Sequence, residues 1–263
     1  MYTLGIDISR WQSGLQWEQL RAAGVKFAIL KASQGAFNRD PSMPIHYRSA
    51  REHGMIVGAF HWLDPQYTAR LQIENYLAAC RGYEFDFYAI DVEQHWKDWR
   101  EWSDHAITQV HDPAHISDIA FNAMKELRDR VSKPVILYTR ASFIKDYAQP
   151  MDSWVHLWPL WLAHYPYSRD RERVDWDTFK QTRLPKRLNP FMPTHATNWT
   201  FWQFSGDKFI LPGCPNTLDL DFFNGDEDAL RAWCSAPAKR PFSSEEKLDK
   251  LWSAHPELAG GAA

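Results

Sequence analysis

The chain has 263 residues, 44% of them hydrophobic and 24% charged, with a formal net charge of -3. That composition describes a soluble globular protein able to bury a sizeable core, and the acidic balance argues against a duplex nucleic-acid binder, which carries a basic excess. No run approaches the roughly 20 apolar residues that span a bilayer, so no membrane insertion is expected.

Short apolar runs at 3–8, 26–32, 55–62, 85–92, 134–139, 157–163, 199–204 and 217–222 read as eight strands. Amphipathic stretches at 15–23, 44–53, 67–80, 116–131 and 226–233 fall between or after them and read as helices. Alternation of this kind implies a parallel sheet in an α/β fold. Gly24, Gly54 and Gly82 each close a helix shortly before the next strand, as left-handed caps do. The long polar segment 166–198 makes the second half irregular. No leader with a basic start, an apolar centre and a cleavage site precedes the first strand, so synthesis in the cytoplasm without a signal peptide is expected.

The fourth run ends in Ala89-Ile-Asp-Val-Glu93. Strand geometry puts the Cα atoms of Asp91 and Glu93 roughly 6.6 Å apart, with both side chains on one face. Like charges at that range oppose joint ionisation. One carboxyl then keeps its proton as a general acid while its neighbour stays charged and steadies a developing cation, a pairing suited to glycoside cleavage. Polar residues recur at the ends of the other strands. Asp7 ends the first, Lys31 and Gln34 follow the second, and His61 ends the third. Tyr138, His164 with Tyr165, Gln203, and Asp219 with Asp221 end the fifth to eighth. In a parallel barrel these carboxyl ends open on one rim, where catalytic groups gather.

The ordered pieces Gly5-Ile-Asp-Ile-Ser-Arg-Trp-Gln-Ser-Gly14, Lys31-Ala-Ser-Gln-Gly35, Gly58-Ala-Phe-His-Trp62, Ile90-Asp-Val-Glu93, Leu137-Tyr-Thr139, Leu160-Trp-Leu-Ala-His-Tyr165, Trp202-Gln-Phe-Ser205 and Leu218-Asp-Leu-Asp221 are similar to the Chalaropsis-type lysozymes, glycoside hydrolase family 25. The resemblance spans about residues 2–233. It implies an irregular, flattened (β/α) barrel of about eight mostly parallel strands, TIM-barrel-like, over 1–234. The implied activity is that of an N-acetylmuramidase cutting the β-1,4 bond between N-acetylmuramic acid and N-acetylglucosamine in peptidoglycan. Carried onto this chain, it makes Glu93 the proton donor, Asp91 its partner, and Asp7 and Asp219 the other acids. Tyr138, Gln203, Tyr165, Trp161, His61, Lys31, Gln34 and Asp221 are the expected substrate-binding residues. Two departures stand out: Phe60 where the family often has Tyr, and Asp221 where it often has Asn. Glu93 is expected to protonate the glycosidic oxygen, and two routes compete for the other face: direct attack by a side-chain carboxylate, or, as favoured, attack by the substrate's 2-acetamido oxygen with Asp91 balancing the oxazolinium.

Trp96, Trp99 and Trp102 recur every three residues and suit either an aromatic lip or a packed helix face. His111 and His115 have metal-ligand spacing but stand beside Pro113 without an intervening Glu, so a solvated loop and no metal are expected. Phosphate-cradling Gly-rich loops are absent and no cofactor is expected. Cys80, Cys214 and Cys234 read as buried free thiols, and the basic run 169–187 as a wet surface. Residues 235–263 form an appendage with a capping box at Ser243 and a short helix through Leu248, Leu251 and Trp252. A monomer acting on peptidoglycan glycan strands is expected, delivered by a holin or by a secretion machinery. Two rival readings remain: a chitinase-like barrel, whose D-x-x-D-x-D-x-E pattern falls here on Asp86, Ala89, Asp91 and Glu93 with one acid missing, and a carbohydrate-binding barrel without turnover.

Overall fold

Apolar runs buried on both faces need a layer on each side, and a closed sheet supplies one inside and one outside. The computed structural model describes residues 2–103, 106–167, 171–174, 176–182 and 189–236. Its strands in chain order are β1 Thr3–Ile8, β2 Val25–Gln34, β3 Asn38–Arg39, β4 Ile56–Trp62, β5 Phe87–Asp91, β6 Val135–Thr139, β7 Leu160–Ala163, β8 Glu172–Arg173, β9 Phe201–Ile210 and β10 Leu218–Phe223. The barrel runs β1-β10-β9-β7-β6-β5-β4-β2 and closes by pairing β2 with β1. The short β3 and β8 pair with β2 and β9 outside this circuit.

All eight predicted strands are present. Seven run parallel, but β10 is antiparallel to both β9 and β1, which corrects the expectation that Asp219 and Asp221 leave the carboxyl end of a parallel strand. The link at 211–217 is too short for a crossover and can only fold back as a hairpin. The amino end of β10 therefore reaches the rim formed by the carboxyl ends of its neighbours.

The five predicted helices appear as Trp17–Ala22, Met43–Glu52, Ala69–Ala79, Pro113–Arg130 and Glu227–Ser235. Gly24, Gly54 and Gly82 have φ of 102°, 69° and 84°, the left-handed conformation their positions require. Helices Trp99–Ser103, Ala141–Tyr147 and Trp176–Thr182 were not anticipated. Helix Pro113–Arg130 starts earlier than its periodicity suggests, because Asp112 caps the amides of Ala114 and His115 and Pro113 occupies its first turn. His111 is accordingly buried and His115 is helical, so this pair does not form the solvated loop expected.

Two apolar layers result. Between sheet and helices lies the larger, including Leu30, Val57, Ile73, Met124 and Leu162. Inside the barrel lie Phe27, Ile29, Ile56, Phe87, Ile136, Phe201 and Phe223. Each interior Phe contributes roughly 2 to 3 kcal/mol by burial. Helix Glu227–Ser235 seals the lower mouth with Leu230 and Cys234, while the Trp233 ring stands 5.5 Å from that of Phe87. Among the described residues the upper mouth is left open. The three cysteines are free and buried. Among the described residues no helix is long and apolar enough to cross a membrane. The predicted tail helix lies outside the described residues, as do 169–170, 175 and 183–187 of the basic run; in its described part Arg171, Arg173 and Lys180 are exposed.

Candidate active site

Strand side chains alternate between faces, so the interior Phe87 and Ala89 put Asp91 on the same inward file. Val92 extends the pairing by one residue, its amide donating to the Tyr138 carbonyl at 2.9 Å and its carbonyl accepting from Thr139 Oγ1 at 2.9 Å. Glu93 thus stays on the inward face. The same alternation turns Asp7 above Gly5, Lys31 above Ile29, Tyr138 above Ile136, and Gln203 above Phe201. The interior is apolar low in the barrel and polar at its upper mouth.

There a cleft of about 290 Å³ is lined by Asp7, Lys31, Asp91, Glu93, Tyr138, Trp161, Tyr165, Gln203 and Asp219. In the eight-strand circuit β10 lies four strands from β5 in either direction, so Asp219 faces Asp91 and Glu93 across the mouth. A sugar ring seated between them meets acids from two walls.

Burial raises the Asp91 pKa well above the usual carboxylate range; the Glu93 charge adds to this and Lys31 opposes it. One Asp91 oxygen, Oδ1, is buried with no hydrogen-bond partner. Glu93, half-buried, is also raised by desolvation, with Arg140 and Lys31 acting the other way. Asp7 and Asp219 are raised by burial and by each other's neighbourhood of acids. Lys31 is held low by burial; its Nζ donates to Gln34 Oε1 at 2.9 Å and stands 4.2 Å over the Trp62 ring. Gln203 Oε1 accepts from the Tyr138 hydroxyl at 2.7 Å and from the Tyr165 hydroxyl, and its Nε2 donates to Asp7 Oδ2 at 2.7 Å.

Three expected binding residues do not line the cleft. His61 lies between the inward-facing Phe60 and Trp62 and so points out toward helix Ala69–Ala79, fully buried. It meets Ser33 Oγ at 2.8 Å and Gln72 Oε1 at 3.3 Å, and burial lowers its pKa to about 4. Gln34 sits behind Lys31 and anchors it. Asp221 is fully buried beneath Asp7 and Asp219.

Phe60, the departure from the family pattern, lines the cleft, and so do Ser9, Trp11, Gln12, Trp62 and Asp207, which are not among the expected site residues. For Phe60 and Trp62 the parity of β4 was the available signal. Asp207 had none: it adopts φ 52°, unusual for a residue other than glycine, and its amide donates to Asp219 Oδ1 at 3.0 Å. Of the Trp triplet, Trp96 is buried and Trp99 is 69% exposed, so they share no single face; the Trp102 side chain lies outside the described residues. A larger hollow of about 660 Å³ lies at the sealed end against Thr3, Leu4, Lys26 and Glu227. Its charges pair among themselves, Lys26 with Glu227 at 3.4 Å and Lys180 with Asp177 at 2.7 Å, so the smaller acidic cleft is the chemical site.

The family model for glycosyl hydrolases family 25 matches residues 6–213. The chain is 29% identical over 259 residues to an uncharacterized protein, YegX, of Escherichia coli O157:H7, across 91% of this chain and 76% of that one. Lysozyme M1 of Streptomyces globisporus is 27% identical over 233 residues, across 87% and 70%. A bacterial lysozyme from Streptomyces coelicolor has a fold similar to this one, with a TM-score of 0.69 at 22% identity, covering 89% of this chain and 97% of its own. A family GH25 lysozyme from Aspergillus fumigatus gives 0.66 at 22% identity, covering 90% and 100%.

Proposed function

The chain belongs to glycosyl hydrolase family 25, and on that premise we propose that it is a lysozyme, an N-acetylmuramidase that hydrolyses the β-1,4 bond between N-acetylmuramic acid and N-acetylglucosamine in peptidoglycan. The observation that carries this reading is the convergence of Glu93 and Asp91 on one inward file of β5, in an open cleft with opposing acids. Desolvation raises the Glu93 pKa and favours its protonated form, which donates to the glycosidic oxygen as the bond breaks. Asp91 and Glu93 titrate as a pair; in this reading the proton sits on Glu93 and the charge on Asp91, where Lys31 opposes the rise caused by burial, and that charge balances the cation at the anomeric centre.

Asp91 and Glu93 leave β5 on one inward file, so both stand on the same side of a sugar in the cleft and do not flank the bond as an acid and a nucleophile must. The substrate's own 2-acetamido oxygen is therefore the attacking group in this mechanism, with Asp91 holding the oxazolinium and Tyr138 steadying the acetamido group. Water then opens the intermediate from the face the leaving group left, giving retained configuration. Product anomers followed by NMR test this: inversion would exclude the route. A substrate with a hydroxyl in place of the acetamido group should react far more slowly.

A specific observation weakens the chitinase-like alternative. Asp86, its first acid, lies below the start of β5 and is held by Arg51 Nη1 at 2.6 Å and the Val57 amide at 2.8 Å. Ala89, where its second acid would stand, is a buried core residue. Chitin oligomers offered against peptidoglycan should be the poorer substrate. In this reading the enzyme works as a monomer and reaches the wall through a partner, a holin-type pore or a secretion machinery. Sedimentation, and lysis on co-expression with such a pore, test those two points.

A further inference from the structure

Asp221 takes no place in the chemistry above, yet it is a fully buried carboxyl on the inward file of β10. Its register partner on β1 is Gly5, whereas Asp219 is paired with Asp7. Asp221 Oδ1 accepts from Trp161 Nε1 at 2.7 Å. Its other oxygen, Oδ2, is buried with no hydrogen-bond donor among the described residues, and the Asp221 carboxyl lies within hydrogen-bond reach of that of Asp7. Asp7 in turn accepts from Gln203 Nε2 at 2.7 Å. The orientation of that amide is fixed, because Gln203 Oε1 is occupied by the hydroxyls of Tyr138 and Tyr165.

Two carboxyl groups in contact attract only if a proton lies between them. Among the described residues no cationic side chain takes its place. The charged and titratable groups facing Asp7 are Asp219 and Asp221 from β10, Glu93 and Asp91 from the β5 side, and the phenols of Tyr138 and Tyr165. Lys31 lies against Asp91 and Glu93 instead.

We propose that Asp221 is a positioning residue that shares one proton with Asp7, so that Asp7 meets the substrate as a proton-bridged acid and the upper mouth carries one negative charge fewer than its sequence implies. Burial pushes Asp221 up to about 8 and Asp7 well above its ordinary value, in the direction the geometry requires. The pair titrates as a unit.

The meaning for Asp7 at the substrate rests on the lysozyme reading; the shared proton does not. The test is carbon NMR of aspartate-labelled full-length protein, titrated through neutral pH. The wild type should show a carboxyl that remains protonated at neutral pH and ionises only as the pH is raised further. Asp221→Asn keeps an acceptor for Trp161 and offers an N–H to Asp7, and Asp7→Asn offers one to Asp221, so either change should abolish that titration. A wild-type spectrum with every aspartate ionised at neutral pH overturns the proposal without any variant having to fold, as does a titration unchanged in both variants. Walls left intact by a protein that shows this titration would count against the lysozyme reading alone, and lysed walls without it would count against the proton alone.

Discussion

Lys31 is the cation beside the two acids of β5, and its removal gives the most specific test at the scale of single side chains. Its charge lowers the pKa of both Asp91 and Glu93, so Lys31→Met should raise both. Ionised Asp91 governs the acid limb and protonated Glu93 the alkaline limb, so both limbs of kcat/KM against pH should move to higher pH. An unmoved profile would remove Lys31 from the electrostatics of the site. Asp91 and Glu93 were legible in the sequence because a spacing of two on a strand fixes one face. His61 obeys the same rule: its parity in β4 is opposite to that of Phe60 and Trp62, so a polar residue at a strand end turns away from the rim. The roles of Gln34 and Asp221 depend on what lies behind Lys31 and Asp7, which no local pattern records.

At the scale of elements, two glycines inside the motif pieces have a packing reason. Gly5 on β1 pairs with Phe27 on β2, and Gly58 on β4 pairs with Phe87 on β5. A Cβ at either position would stand 2.2 or 2.3 Å from the ring of that Phe. Those rings fill the barrel interior and cannot retreat, so Gly58→Ala should destabilise by about 1 to 3 kcal/mol or more, read as a lower urea midpoint at unchanged slope. A variant as stable as the parent would mean that the interior is looser than described. The eight strands were legible because runs buried on both faces are long and apolar. The direction of β10 was not, since a hairpin and a crossover leave the same strand pattern and differ only in the link. Helices Trp99–Ser103 and Ala141–Tyr147 were missed because they are short, and no side-chain cap bond marks the start of the second.

The whole molecule pays for its acidic cleft in a pH-dependent stability. Asp7, Asp91, Asp219 and Asp221 all have raised pKa values, so the folded state holds protons that the unfolded chain has released above about pH 4. Each proton so held makes stability fall by about 1.4 kcal/mol per pH unit as pH rises toward the folded pKa, which for Asp221 is about 8. His46, His61, His95, His111 and His164 are lowered and act with the opposite sign below about pH 6.5, where the unfolded chain protonates them first. The thermal midpoint should therefore pass through a maximum and decline from about pH 6.5 to 8; a midpoint that climbs through that window would contradict the buried acids. The decisive measurement is release of reducing ends from purified cell walls by the wild type and by Glu93→Gln at equal concentration. The wild type should free N-acetylmuramic acid ends, and Glu93→Gln should be slower by about 10² to 10⁴-fold while melting at the same temperature. Near-normal release by the folded variant, or wild-type products ending in N-acetylglucosamine, would contradict proton donation by Glu93 to the muramidase bond.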